Sequence, residues 1–238
     1  MPETPIRRIP VRRFAAPDPR PAAAVYDADC KRCVRLASFL QEVKRERPEY
    51  FCKPVPPFGD PDATLLIVGL APGKHGANRT GRPFTGDFAG ILLYETLFKF
   101  GIASAPVSLA ADDALVLSGA RLTNAVKCLP PDNKPLPLEA KTCNRFLREE
   151  LARSEAVRVI LALGTIAHAA TLRALDLSAA AFRFGHGALH RIDAARVLLD
   201  SYHCSRYNTQ TRRLTKGMFE DVVGRAVTLA ARSGQGAP

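Results

Sequence analysis

Six cysteines occur in the 238-residue chain, and four of them are spaced as a ligand set. Cys30 and Cys33 form a C-x-x-C, while Cys128 and Cys143 flank a Pro-rich loop with 14 residues between them. Four thiolates hold either an iron-sulfur cluster or a structural zinc, and spacing alone does not choose between the two. Unrelated core cysteines are the competing reading, but a C-x-x-C with a second pair beside Pro130 and Pro131 fits ordinary packing poorly. Cys52 and Cys204 are left over and are read as plain thiols.

Three further segments carry groups suited to a planar ligand. The stretch 69–87, GLAPGKHGANRTGRPFTGD, holds five glycines. Gly69 and Gly73-Lys74 loosely echo a phosphate-binding loop, yet the spacing is one residue short and His75 stands where a magnesium-binding Ser or Thr belongs. Nucleotide hydrolysis is therefore disfavoured. The glycines still let backbone approach a ligand, and Phe84 offers a flat apolar face. Asp87 precedes an apolar run, where it either caps a helix or supplies negative charge. In TNAVKC, Asn124 has an amide that donates and accepts in one plane, as a base edge requires. In SYHCSRYNTQTRRLT, His203 is placed to donate to a developing anion, ahead of a basic loop able to meet phosphates. Bland alternatives stand beside each: Phe84 as core, Asn124 as a turn residue, His203 as a satisfied core histidine, the basic loop as an ordinary solvated one. His75 is as well placed for the site as for a backbone phosphate, and His168, His186 and His190 are read as structural.

These groups need a frame. Residues 27–47 have helical apolar spacing and stop at Pro48. Residues 64–69 form a short apolar run, read as a strand buried on both faces, and 89–100 a helix. The alternation continues with a strand ending at 121–126, a helix at 138–153, a strand at 157–164, a helix at 165–175, a strand at 196–201 and a helix at 216–232. Such alternation implies an α/β fold, a mostly parallel sheet covered by helices on both faces, with ligands outside the carboxyl ends of the strands. One domain is expected at 25–232, preceded by a flexible basic arm at 1–24 containing Arg7, Arg8, Arg12, Arg13 and Arg20, and followed by a loose tail at 233–238. Prolines in the arm argue against a transit peptide, and no stretch is long and apolar enough for a membrane span, so a soluble cytoplasmic protein is expected. With 34 Lys and Arg against 23 Asp and Glu, the net charge of +11 favours a polyanionic partner, nucleic acid ahead of an anionic membrane.

Taken together, GLAPG at 69–73, GRPFTGD at 81–87, TNAVKC at 123–128, YHCSRYNTQTRRLT at 202–215 and the cysteine order resemble the type-B (family 5) uracil-DNA glycosylases of the uracil-DNA glycosylase superfamily, over about residues 26–231. The resemblance implies a three-layer sandwich around a four-stranded parallel sheet and a 4Fe-4S cluster on Cys30, Cys33, Cys128 and Cys143. It implies that Gly69, Leu70, Ala71, Pro72 and Gly73 line the substrate, that Phe84 stacks on an everted base, that Asn124 reads its pairing edge and that His203 bonds the departing base. Asp87 is the candidate to position water or favour the cationic sugar. Arg206, Tyr207, Arg212, Arg213 and Leu214 are expected at the DNA surface, one of them filling the vacated stack. Two departures stand out. Ala71 occupies a slot that is acidic in type-A relatives, which suggests a broader range of deaminated bases, hypoxanthine included; Cys204 replaces a common proline. The expected partner is DNA containing uracil or other deaminated bases, with the protein a monomer. A non-catalytic iron-sulfur DNA-binding protein and a zinc-stabilised nucleotide enzyme are the alternatives.

Overall fold

A computed structural model describes residues 25–232; the arm expected at 1–24 and the tail at 233–238 lie outside the described residues. In chain order the elements are α1 (Val34–Glu46), β1 (Phe58–Gly59), β2 (Leu65–Gly69), α2 (Ala77–Thr80), α3 (Phe88–Lys99), β3 (Ala120–Asn124), α4 (Pro137–Arg153), β4 (Val159–Leu163), α5 (Thr165–Ala174), β5 (Leu189–Arg191), β6 (Val197–Ser201), α6 (Arg206–Gln210) and α7 (Lys216–Arg232). The sheet order is β1-β3-β2-β4-β6-β5. Its centre, β3-β2-β4-β6, is parallel throughout, and β1 and β5 are added antiparallel at the two edges. The sheet thus has six strands where four were expected. The two extra strands are two and three residues long, too short to impose an alternation that sequence could display.

Every residue of β2 and β4 is buried, as befits central strands covered on both sides. On one face Leu65, Ile67, Leu161 and Leu199 pack with Leu93 and Leu97 of α3 and Phe219 and Val223 of α7. On the other, Leu66, Val68, Ile160 and Leu198 pack with Leu147 and Leu151 of α4 and Ala167 and Ala170 of α5. A smaller core joins Leu36, Leu40 and Val43 of α1 to Val126, Leu129 and Phe146, around the four paired cysteines.

From β2 the chain crosses to β3 on one side, then passes to β4 on the other. That reversal puts the switch point at the carboxyl end of β2, where open parallel sheets bind ligands. Gly69 and Asn124, the last residues of β2 and β3, are direct partners in the ladder, and the pairing continues as Ala125 and Val126 donate to the carbonyls of Gly69 and Leu70. Residues 55 positions apart in sequence therefore meet where a ligand would enter.

Candidate active site

At the mouth of the switch point, Gly69, Phe84 and Asn124 are in close contact. A β-carbon built on Gly69 would lie 2.4 Å from Phe84 Cζ and 2.5 Å from Asn124 Oδ1, so only glycine lets the ring and the amide sit together. Asn124 is 4 % exposed, yet its amide has no hydrogen-bond partner among the described residues. The ring of His203 faces Phe84, with centroids 6.3 Å apart and planes 28° apart. It too lacks a hydrogen bond among the described residues, and its pKa is lowered to about 4 by burial. His203 lies deep in the fold while keeping partial solvent access.

The loop bearing Phe84 is braced from below. Phe84 has a left-handed backbone (φ 55°), a strained conformation for a bulky residue that surrounding structure has to enforce. Buried Arg82 does much of this. Its guanidinium pairs with Asp113, bonds the Ala111 carbonyl at 2.6 Å and Ser108 Oγ at 3.0 Å, and lies 4.3 Å over the Phe58 ring. Tyr94 donates to the Pro83 carbonyl and Thr85 Oγ1 bonds Ser108. Phe84's own carbonyl lies where a β-carbon on Gly90 would have to sit, so the first turn of α3 is pressed against it.

Asp87 caps α3: its Oδ1 accepts from the Gly90 amide at 2.9 Å. The other oxygen points at the glycine loop, 3.3 Å from a β-carbon built on Gly73 and 2.3 Å from one on Gly76. Burial raises the Asp87 pKa, opposed by the Gly90 and Ala89 amides. One carboxylate thus caps the helix and also faces the loop. Within that loop Leu70, Ala71 and Gly73 are partly exposed and Pro72 is buried. His75 is exposed and bonded to Tyr50 at 2.7 Å.

After β6 the chain turns through His203, whose carbonyl accepts from Asn208 Nδ2 at 2.8 Å, and Ser205 caps α6. Arg206, Tyr207, Arg212 and Arg213 are exposed, and Arg213 lies 4.6 Å over the Tyr202 ring. Leu214 is a correction. It is fully buried in the core between the sheet, α3 and α7, because the chain there turns inward to start α7, so it cannot reach a DNA surface. Cys204 is buried as well, its thiol raised by burial and by Asp87. His186 does more than fill space: its Nδ1 accepts from the Tyr202 amide at 3.2 Å, and the two rings stack.

The four paired cysteines line one small cavity of about 20 Å³ with Leu36, Pro54, Lys127 and Phe146. Burial raises the Cys128 thiol, and so do the three neighbouring cysteines; burial likewise pushes Cys143 up to about 11. Four such thiols become stable thiolates only around a cationic centre. Backbone donation from Lys127 to Cys143 Sγ at 3.2 Å supplies part of the stabilisation. Arg35 holds Glu139 in a bidentate pair at 2.7 Å, locking α1 to α4 beside the cavity. Cys128 follows Asn124 by four residues, and Ala71 packs on the same cluster. Whatever occupies the cavity therefore also fixes two of the ligand-facing loops.

The model of the family described as Uracil DNA glycosylase superfamily matches residues 56–225, a span that contains Gly69, Phe84, Asp87, Asn124 and His203. The chain belongs to the uracil DNA glycosylase superfamily. Among curated members, the Type-5 uracil-DNA glycosylase of Thermus thermophilus is 50% identical over 206 residues, covering 84% of this chain and 94% of that protein. The type-5 protein of Pyrobaculum aerophilum is 43% identical over 204 residues, 83% and 88% of the two chains. A Type-4 uracil-DNA glycosylase from Archaeoglobus fulgidus is 35% identical over 126 residues, about half of each chain (52% and 54%). Similarity is thus to the type-5 branch of the uracil DNA glycosylase superfamily over most of the chain. Within this superfamily member, the bracing by Arg82, Ser108, Tyr94 and Asp113 joins residues far apart in sequence, and Arg82 within GRPFTGD is its one local sign.

Proposed function

We infer that the protein excises uracil from DNA by hydrolysing the N-glycosidic bond of an everted nucleotide, as a monofunctional glycosylase. One observation carries the reading: Asn124 and His203, whose side chains have no hydrogen-bond partner among the described residues, both come up against a single aromatic ring, Phe84. Polar groups that are nearly enclosed and make no bond to the protein are free to pair with a ligand, so one with matching donors and acceptors is the natural complement. A uracil ring on Phe84 would meet Asn124 with its pairing edge.

Bond cleavage gives the sugar cationic character and sends the base away as an anion. His203, held neutral by burial, donates an N–H to the uracil carbonyl without bringing a full charge of its own. Asp87, in its ionised form, places negative charge beside the glycine loop, where it favours the cationic sugar and orients the attacking water. Eversion costs a few kcal/mol of unstacking. The exposed Arg206, Arg212 and Arg213 offset this through phosphate contacts, and Tyr207, 71 % exposed, is the candidate to fill the gap in the stack.

Cys30, Cys33, Cys128 and Cys143 fit a 4Fe-4S cluster, which would act there as a rigid cross-link between α1, α4 and the Asn124 loop. Sequence spacing does not separate a cluster from zinc, but the separation of the sulfurs in the fold supports the cluster. Among the described residues, the one group of three or more His, Cys, Asp or Glu with ligand atoms all within 4.8 Å lies elsewhere. Tetrahedral zinc would draw its sulfurs to about 3.8 Å of one another. Ala71, with no polar side chain, supports acceptance of further deaminated bases such as hypoxanthine. A monomer working in the cytoplasm completes the reading; no helix of the described residues is long and apolar enough to cross a membrane.

The test is single-turnover excision on a uracil-containing duplex, read by alkaline strand cleavage. His203→Ala should lower the rate at least tenfold, out of the roughly 3–4 kcal/mol that such a donor supplies. An unchanged rate would remove His203 from the chemistry.

A further inference from the structure

His168, His190 and Asp200 form a second cluster of ligand-type side chains, on the sheet face opposite Phe219 and α7. Their ligand atoms all lie within 4.8 Å of one another. Asp200 sits on β6, fully buried, two residues after Leu198 and so on the same face; His190 on β5 pairs with Leu198 and shares that face; His168 comes from the first turn of α5. Three separate elements deliver one donor each.

The hydrogen bonding leaves a charge to be explained. His168 Nε2 is 3.0 Å from the Phe182 carbonyl, so Nε2 must carry a proton. In the neutral tautomer, Nδ1 then presents a lone pair to Asp200 Oδ1 at 2.8 Å, two acceptors face to face. His190 Nε2 lies 3.3 Å from Asp200 Oδ2. The remaining donor to the carboxylate is the Gly185 amide at 3.4 Å, too long to neutralise a fully buried charge. A positive species has to sit among these atoms.

We propose that His168 Nδ1, His190 Nε2 and Asp200 bind one divalent transition-metal ion, zinc being the expected occupant. Two imidazoles and a carboxylate make a zinc-type donor set. A ring nitrogen donating to a backbone carbonyl, as His168 does to Phe182, is the outer support that metal-bound histidines use to fix tautomer and orientation. Phe182 and Phe184 meet the two imidazole rings edge-on and dry the site. His190, whose side chain is 16 % exposed, leaves a side open to a fourth ligand from solvent. An ion here ties α5, β5 and β6 together three residues before His203, and its role is structural.

The protein, purified with its iron content measured, is titrated with zinc chloride against a chromophoric chelator, and the zinc-loaded sample is studied by X-ray absorption at the zinc edge. One zinc per chain is expected, with a nitrogen/oxygen shell near about 2.0–2.1 Å. His190→Ala and the milder His190→Gln should weaken binding by roughly a hundredfold while retaining iron and uracil excision. Zinc should raise the melting temperature of the wild type and of neither variant. Absence of stoichiometric zinc would overturn the proposal and leave a proton as the positive species. A sulfur shell near about 2.3 Å, or unweakened binding in a folded His190 variant, would also overturn it by placing the ion on the cysteines.

Discussion

Replacing Gly69 by alanine tests the packing that sets Phe84 beside Asn124. The new methyl would arrive 2.4 Å from Phe84 Cζ, 3.0 Å from Phe84 Cε2 and 2.5 Å from Asn124 Oδ1. Ordinary carbon contacts need about 3.5–4.0 Å, so ring and amide must each retreat by roughly 1 Å. Neither retreats easily. Phe84 is held through Arg82, Thr85 and Tyr94 in a left-handed backbone, and Asn124 ends a strand whose ladder continues past it. Such crowding costs about 1–3 kcal/mol of stability, and a displacement near 1 Å at the reacting centre costs on the order of 10²-fold in rate. Single-turnover excision of uracil from a duplex, with thermal melting alongside, reads both. Gly217→Ala is the control, since nothing lies within 4 Å of a β-carbon there and α7 should gain slightly. If Gly69→Ala melts a few degrees early yet excises within about threefold of wild type, the placement of Phe84 beside Asn124 does not govern the reaction.

Acidity offers a second check. Chemistry needs His203 neutral and Asp87 ionised; His203 is lowered to about 4 by burial, and burial raises Asp87 above its usual range. Both groups therefore fail on the acid side alone: single-turnover rate should fall only as pH is lowered, and in Asp87→Asn the residual rate should show no break near the ordinary histidine value of about 6.5. A break near pH ~6.5 that persists in Asp87→Asn would show that His203 titrates as an exposed histidine. Arg212→Ala should flatten the plot of log affinity against log salt by about one unit, while Leu214→Ala, in the core, should leave that slope unchanged and instead cost about 2–5 kcal/mol of stability. Cys128→Ser should remove iron and visible absorbance and lower the melting temperature together; a variant that keeps full iron would exclude Cys128 as a ligand.

Much of this was legible in sequence because the informative residues sit at strand ends. The apolar runs of β2 and β4, the helical spacing of α1, and the bounds of α7 follow from periodicity, and the parallel order from alternation. From that order alone the loops after Gly69, Thr123 and Asp200 are expected to converge; the strands end one residue later, at Asn124 and Ser201. Hidden features were of two kinds. Edge strands β1 and β5 depend on partners distant in sequence rather than on their own residues. The brace around Phe84 depends on Arg82 reaching Asp113, a pairing across 31 positions that no local pattern encodes. Leu214 follows two exposed arginines in sequence but does not share their surface, because the turn into α7 carries it into the core. Asp87 shows that two readings of one residue can both hold, one oxygen capping the helix while the other faces the loop.

Excision rates across a panel of uracil, hypoxanthine and undamaged oligonucleotides, for wild type and Asn124→Ala, bear most directly on the account. If Asn124 reads the pairing edge of an everted base lying on Phe84, its loss should cut uracil excision by roughly 10²-fold or more and compress the differences between lesions. Asn124→Ala excising uracil at the wild-type rate, with the ranking of lesions unchanged, would mean that the base lies somewhere else.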